Sequence, residues 1–224
     1  MARTHSNERG TGMGTAVPLA LSRDIRVGAP VPLHHDGREL VAWRTSDGAV
    51  RLWHDRCPHR GMRLSFGFVA QEGGEERLHC LYHGWGYGGD GSCRAIPAHP
   101  DLTPPATIRA RVLDAHEAGG LVWLGGPEDV PADATGARTL ALSLNADEAR
   151  AALRLDGAWR VTDGDDATGE AGPLAIALTP HGPHACALHV LVLGVPTPAR
   201  HRAASRWGAT LRDSLAYRRI GAAA

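Results

Sequence analysis

Two short segments carry the residues best suited to chemistry: Cys57-Pro58-His59-Arg60-Gly61 and Cys80-Leu81-Tyr82-His83-Gly84-Trp85. Each joins a thiol to an imidazole, and together they run Cys, His, Cys, His. Such donors suit either a tetrahedral zinc ion or an iron–sulfur cluster with imidazoles on one of its irons. Spacing separates the two. One residue lies between Cys57 and His59 and two between Cys80 and His83, whereas zinc pairs usually open with about two to four residues between ligands. A mixed-ligand [2Fe-2S] cluster places two Cys on one iron and two His on the other, which removes negative charge and raises its reduction potential. One-electron transfer is the chemistry expected. Each pair must sit on one tight loop, and the two loops must meet across the cluster. Gly61 and Gly84 follow the histidines, where the absence of a Cβ allows backbone to approach the cluster and bond to its sulfurs.

The segment from Val31 to Gly126, a little under half of the chain, resembles the N-terminal Rieske domain of the ring-hydroxylating (Rieske non-haem iron) oxygenases. The matching stretches are Glu39 to Arg44, Asp55-Arg56-Cys57-Pro58-His59-Arg60-Gly61, Leu64 to Gly67, Tyr82 to Trp85, Ile96-Pro97 and Gly120 to Trp123. The resemblance implies one [2Fe-2S] cluster per chain, held by Cys57, His59, Cys80 and His83, and no residue is expected to be catalytic. Cytochrome bc-type Rieske proteins differ: they carry a further Cys in each loop, forming a disulfide, and a Ser hydroxyl after the second His-Gly. This chain has no spare Cys in either loop and has Trp85 in place of the Ser. Fewer bonds to sulfur imply a potential toward the lower end of the Rieske range of about −150 to +300 mV. In the family the second ligand His lies beside an acid that leads to mononuclear iron in a neighbouring subunit. That makes His83 the exit edge and His59 its companion, with Arg60 and Trp85 supporting the loops.

The elements that must position these loops are short. Arg38 to Arg44 and Ala49 to His54 read as a hairpin about Ser46-Asp47-Gly48. Phe66 to Ala70 and Glu76 to His79 flank a Gly- and Glu-rich hairpin end, and Gly86 to Ser92 is a tight turn after the second ligand loop. Ile108 to Asp114 and Gly120 to Gly125 complete a mainly β pattern, an antiparallel sandwich or barrel with a cluster-binding subdomain at its tip. Residues 1–17 are expected to be a disordered tail, 18–126 the Rieske domain, 127–137 a linker, and 138–224 a short α+β, truncated helix-grip-like region. In that region Ala146 to Leu155 is expected to be a helix capped by Asn145, and Trp159 to Gly172 a loop. Leu174 to Leu178 and Ala187 to Leu193 are expected to pair as a hairpin. Arg200 to Arg219 forms a helix whose Ala203, Trp207, Leu211 and Leu215 share a face.

A rival site must be weighed here, because His184 and His189 are five apart and His181 precedes His184 by three, a spacing like that of the oxygenase iron motif. A strand reading of the segment from Ala185 places residues five apart on opposite faces. The motif's acid is His181 here, and downstream of His189 the sequence offers only Asp213. The acids Asp163, Asp165 and Asp166 read as a solvated loop.

With 24 basic and 24 acidic residues, the formal charge is zero, so no global field favours nucleic acid or membrane. No apolar run approaches the ~18 residues of a membrane span. No signal peptide is legible, which makes a cytoplasmic location the expectation, and Cys93 and Cys186 read as small buried residues. The expected function is a Rieske electron-transfer subunit of oxygenase type. It would be served by an electron-donating reductase or ferredoxin and deliver to an oxygenase partner subunit, as a homo- or hetero-oligomer. A free-standing Rieske ferredoxin, a complete small oxygenase and a non-redox assembly subunit are the alternatives.

Overall fold

The computed structural model describes residues 16–127, 129–164 and 169–222. Most of the expected tail, together with Asp165 and Asp166, lies outside the described residues, and Val17 already belongs to the first strand. The chain forms β1 (Val17–Leu21), β2 (Val31–His35), β3 (Arg38–Arg44), β4 (Val50–His54), β5 (Phe68–Glu72) and β6 (Glu75–His79). There follow β7 (Gly86–Tyr87), β8 (Cys93–Ala95), β9 (Val112–Leu113), β10 (Ala115–Ala118) and β11 (Leu121–Leu124). The last third holds β12 (Thr135–Leu142), α1 (Ala146–Leu153), β13 (Trp159–Asp163), β14 (Pro173–Gly182), β15 (Ala185–Val192) and α2 (Pro198–Ala222).

Among the described residues four antiparallel sheets result, with strand orders β1-β11-β10, β2-β3-β4-β9, β5-β6-β7-β8 and β12-β15-β14-β13. The centre of the second sheet, β3 and β4, is buried on both faces, and the two-residue period of a strand divides its side chains between two cores. Leu40, Ala42 and Leu52 pack with Val122 and Leu19. Val41, Trp43 and Trp53 point the other way, into the core that also contains Cys57, Cys80 and Tyr87. Trp43 and Trp53 meet edge-to-face at 5.3 Å in that core. The ligand loops are thus anchored on the largest aromatic side chains of the domain.

The C-terminal sheet repeats this division. Leu174, Ile176, Leu178, Leu188 and Val190 face the two helices, while the small Ala175 and Ala177 join Leu21, Leu121 and Trp123 from the first sheet. Asn145 caps α1 through a reciprocal capping box with Glu148. Thr197 accepts a bond from Arg200 N–H at the start of α2, with Pro198 as its first residue. Ala203, Trp207, Leu211 and Leu215 of α2 all pack on the sheet. One local expectation fails: Trp159–Asp163 is an edge strand paired with β14, not a loop. A ready partner in β14 outweighs its acidic, Gly-rich surroundings. β12 also begins at Thr135, inside the segment read as linker.

Candidate metal centre

The two loops from the sequence lie side by side. The first follows β4 and the second joins β6 to β7, and their backbones are built alike. Cys57 N–H donates to the Met62 carbonyl at 2.8 Å and Gly61 N–H to the Cys57 carbonyl at 2.8 Å. In the second loop Cys80 N–H donates to Trp85 O and Gly84 N–H to Cys80 O, both at 2.9 Å. Each loop therefore closes on itself and leaves its central residues free to face the other. Gly61 and Gly84 have φ of +75° and +70°, a left-handed backbone that glycine adopts without a steric penalty. A Cβ on Gly84 would also lie 3.0 Å from Pro97 Cγ.

Both thiols are interior, each cysteine only 2% exposed, whereas His59 is half-buried and His83 exposed. The imidazoles meet, His83 Nδ1 lying 3.2 Å from His59 Nδ1 with ring centroids 4.8 Å apart. Trp85 stacks flat on His59 at 4.1 Å, and Tyr82 covers His83 at 3.8 Å. Trp85 therefore supports the site as expected, while Arg60 is exposed beside His59. Burial pushes the Cys80 thiol up, opposed by the N–H groups of Tyr82 and His83 that point at its sulfur. Partial desolvation, followed by the neighbouring His83 and Arg60, lowers the His59 imidazole.

One residue of the site escaped the sequence reading. Tyr87 is fully buried, and its hydroxyl sits 3.1 Å from Cys57 Sγ. Its pKa is pushed far above the ordinary tyrosine range, first by burial and then by the bond to Cys57. A tyrosine buried among core aromatics needs a partner for its hydroxyl, and its place four residues after His83 was the available signal.

Two buried thiols opposite two surface imidazoles, on loops with inward-facing N–H groups, fit a cluster that needs thiolates on one side and neutral nitrogens on the other. The Rieske [2Fe-2S] domain family matches residues 15–107. This part of the chain is a Rieske domain. It is similar to the Rieske domains of Rieske non-haem iron oxygenases, and a Rieske domain carries a [2Fe-2S] cluster. Over 98 residues the chain is 44% identical to oxidoreductase NdmD of Pseudomonas putida, covering 42% of this chain and 16% of that protein. It is 37% identical over 137 residues to the oxygenase subunit of 3-chlorobenzoate-3,4-dioxygenase from Comamonas testosteroni, covering 55% and 31%. The chain thus spans less than a third of the length of these relatives. The structure of Pseudomonas putida NdmB superposes with a TM-score of 0.66 at 18% identity, covering 90% of this chain and 81% of that one. The shared fold therefore reaches past the Rieske domain into the C-terminal sheet.

The histidines weighed as a second metal site do not converge. His189, on β15, is fully buried; its Nδ1 lies 2.9 Å from Thr139 Oγ1 and its Nε2 2.7 Å from Thr179 Oγ1. Both ring nitrogens are engaged, and none is left for a metal. His184 is exposed in the turn between β14 and β15. Cys93 and Cys186 are buried free thiols, as read. Among the described residues, no helix is long and apolar enough to cross a membrane.

Proposed function

We propose that this chain is a Rieske electron-transfer subunit of oxygenase type, with Cys57, His59, Cys80 and His83 as the cluster ligands. In this reading it takes electrons singly from a reductase or ferredoxin in the cytoplasm and passes them to a partner subunit that holds mononuclear iron. The observation that carries the reading is the meeting of two buried thiols and two outward imidazoles on two loops of like construction. When bound, the cluster supplies reversible one-electron chemistry at a potential raised by its neutral imidazole ligands.

The chain's own residues do the rest. Cys57 and Cys80 hold the interior side, where N–H groups aimed at the Cys80 sulfur favour the thiolate that ligation needs. His59 and His83 carry the outward side to the surface, their rings held by Trp85 and Tyr82. The C-terminal sheet supports a role as carrier, because His189 spends both nitrogens on threonines and an oxygen-activating iron needs ligands with coordination positions left open. We read that region as a helix-grip-like sheet that buttresses the Rieske domain.

The test is direct. Anaerobically purified protein should contain about two irons and two inorganic sulfides per chain and show a Rieske-type EPR signal on reduction. Single turnover of the prereduced protein under labelled oxygen should yield no labelled product. A third iron together with labelled product would restore the complete-oxygenase alternative, and protein lacking iron and sulfide after reconstitution would favour an assembly role.

A further inference from the structure

The surface beside the two imidazoles is divided by chemistry. On the His83 side it is apolar, with Leu81 60% and Tyr82 55% exposed. On the His59 side an open groove of about 490 Å³ is lined by Arg56, Arg60, Arg109 and Arg111, with His54 and His59 on its wall and no acidic residue in its lining. The four arginines come from two separate stretches, one running through the first ligand loop and one leading into β9. They are held together by the bond from His54 N–H to the Arg111 carbonyl at 2.9 Å. The Arg56 guanidinium lies over Gly61. Among the described residues Arg56, Arg60 and Arg111 have no ion-pair partner, and Arg109 has only Asp90, with 3.0 Å to its carbonyl and 3.9 Å to its carboxylate. Asp55, a buried acid next to Arg56 in sequence, is committed to Ser65.

Four guanidiniums, of which only Arg109 has an acidic partner, repel one another, and in a chain whose formal charge is zero the concentration is local. Exposed charges of one sign attract a partner of the other sign over about a Debye length, ~10 Å at 0.1 M salt. We propose that this groove is the docking surface for the acidic face of a one-electron donor protein, which delivers its electron at the His59 edge. The proposal rests on the electron-transfer reading above and adds to it a side of entry, opposite the apolar His83 edge. The donor loses one electron to the cluster, and no covalent bond is made or broken. A protein fits better than a small anion, because the guanidiniums stand on an open shelf and because only a redox protein can supply the electron.

The cluster-loaded full-length protein would be mixed with a reduced, acidic plant-type ferredoxin as the probe, and the second-order rate of cluster reduction followed by stopped flow across a salt series. Arg109→Glu and Arg111→Glu, singly and together, are compared with Arg202→Glu, an exposed arginine on α2. Photoreduced deazariboflavin serves as a small uncharged reductant. The wild-type rate should fall steeply with salt. Each groove variant should lose about tenfold at low salt, converging on wild type at high salt. Arg202→Glu should behave as wild type, and deazariboflavin should reduce all forms alike. Equal slowing by Arg202→Glu, a salt-independent rate, or slowing with deazariboflavin would overturn the docking surface. So would selective inhibition by sulfate against chloride at matched ionic strength, which would mark a small-anion site. Failure of wild type to take an electron from deazariboflavin would instead overturn the electron-transfer reading itself, and the docking surface with it.

Discussion

Tyr87 changes what the residues say about the cluster's potential. The lack of a Ser after His83-Gly84 argues for few bonds to sulfur, but the Tyr87 hydroxyl, 3.1 Å from Cys57 Sγ, provides one from a residue the loop sequence does not advertise. A bond that donates to a ligand sulfur withdraws density and stabilises the reduced state. A net hydrogen bond of about 1 kcal/mol corresponds to about 40 mV for a one-electron couple. Tyr87→Phe should therefore lower the midpoint potential by roughly that amount while leaving the EPR signal in place; protein-film voltammetry reads the shift, and an unchanged potential would remove Tyr87 from the site. The ligands are more sensitive. His83→Cys or Cys80→Ser changes the charge or donor on one iron and should abolish the Rieske-type signal; a variant that kept it unaltered would show the ligand set to be wrong.

Among the elements, β15 separates two kinds of histidine that spacing alone groups together. Leu188 and Val190 face the helices, whereas His189 points toward β1, where Thr179 Oγ1, one of its partners, also donates to the Pro18 carbonyl. Burial, aided by the nearby His181, pushes the His189 imidazole from 6.5 down to about 3. Between those values the unfolded chain binds a proton that the folded chain refuses. Folding is thus unaffected by this group above pH 6.5, and stability declines as pH falls from there toward 3, by up to about 1.4 kcal/mol per unit. The His189 side-chain resonances should stay in the neutral form at pH 5 in the folded protein. An NMR titration with a midpoint near 6.5 would contradict the buried, doubly bonded ring.

At the scale of the whole molecule, the C-terminal region is part of the Rieske domain's packing. Leu21, Leu121 and Trp123 of the first sheet share a core with Ala175, Ala177 and Leu191, and Asp36 N–H donates to the Pro180 carbonyl at 2.9 Å. Ending the chain after Gly126 would expose those large side chains, at about 1.5–3 kcal/mol each. The truncated protein should melt well below the full chain and lose its cluster sooner. Calorimetry of the two loaded forms decides it: equal melting temperatures would support a self-sufficient ferredoxin module and weaken the role of the C-terminal sheet as a buttress.

What could be read without the structure was local. That Cys57 and His59, and Cys80 and His83, form two like pairs of donors was legible because each pair lies within four residues and its chemistry is set by residue type and spacing. The hairpin of β3 and β4, the Asn145 cap and the apolar face of α2 were legible for the same reason, since period and capping act over one or two turns. What needed the tertiary structure was whatever depends on distant residues meeting. Tyr87 reaches Cys57 only because both lie in one core, and Arg109 and Arg111 join Arg56 only because β9 pairs with β4. Trp159–Asp163 becomes a strand because β14 offers it an edge. His189 is denied to any metal by threonines on two neighbouring strands. A chain's sequence carries donor sets and periodicities directly, but the neighbour across a sheet is chosen by packing and backbone pairing of the whole fold, and that is where the second half of this site is decided.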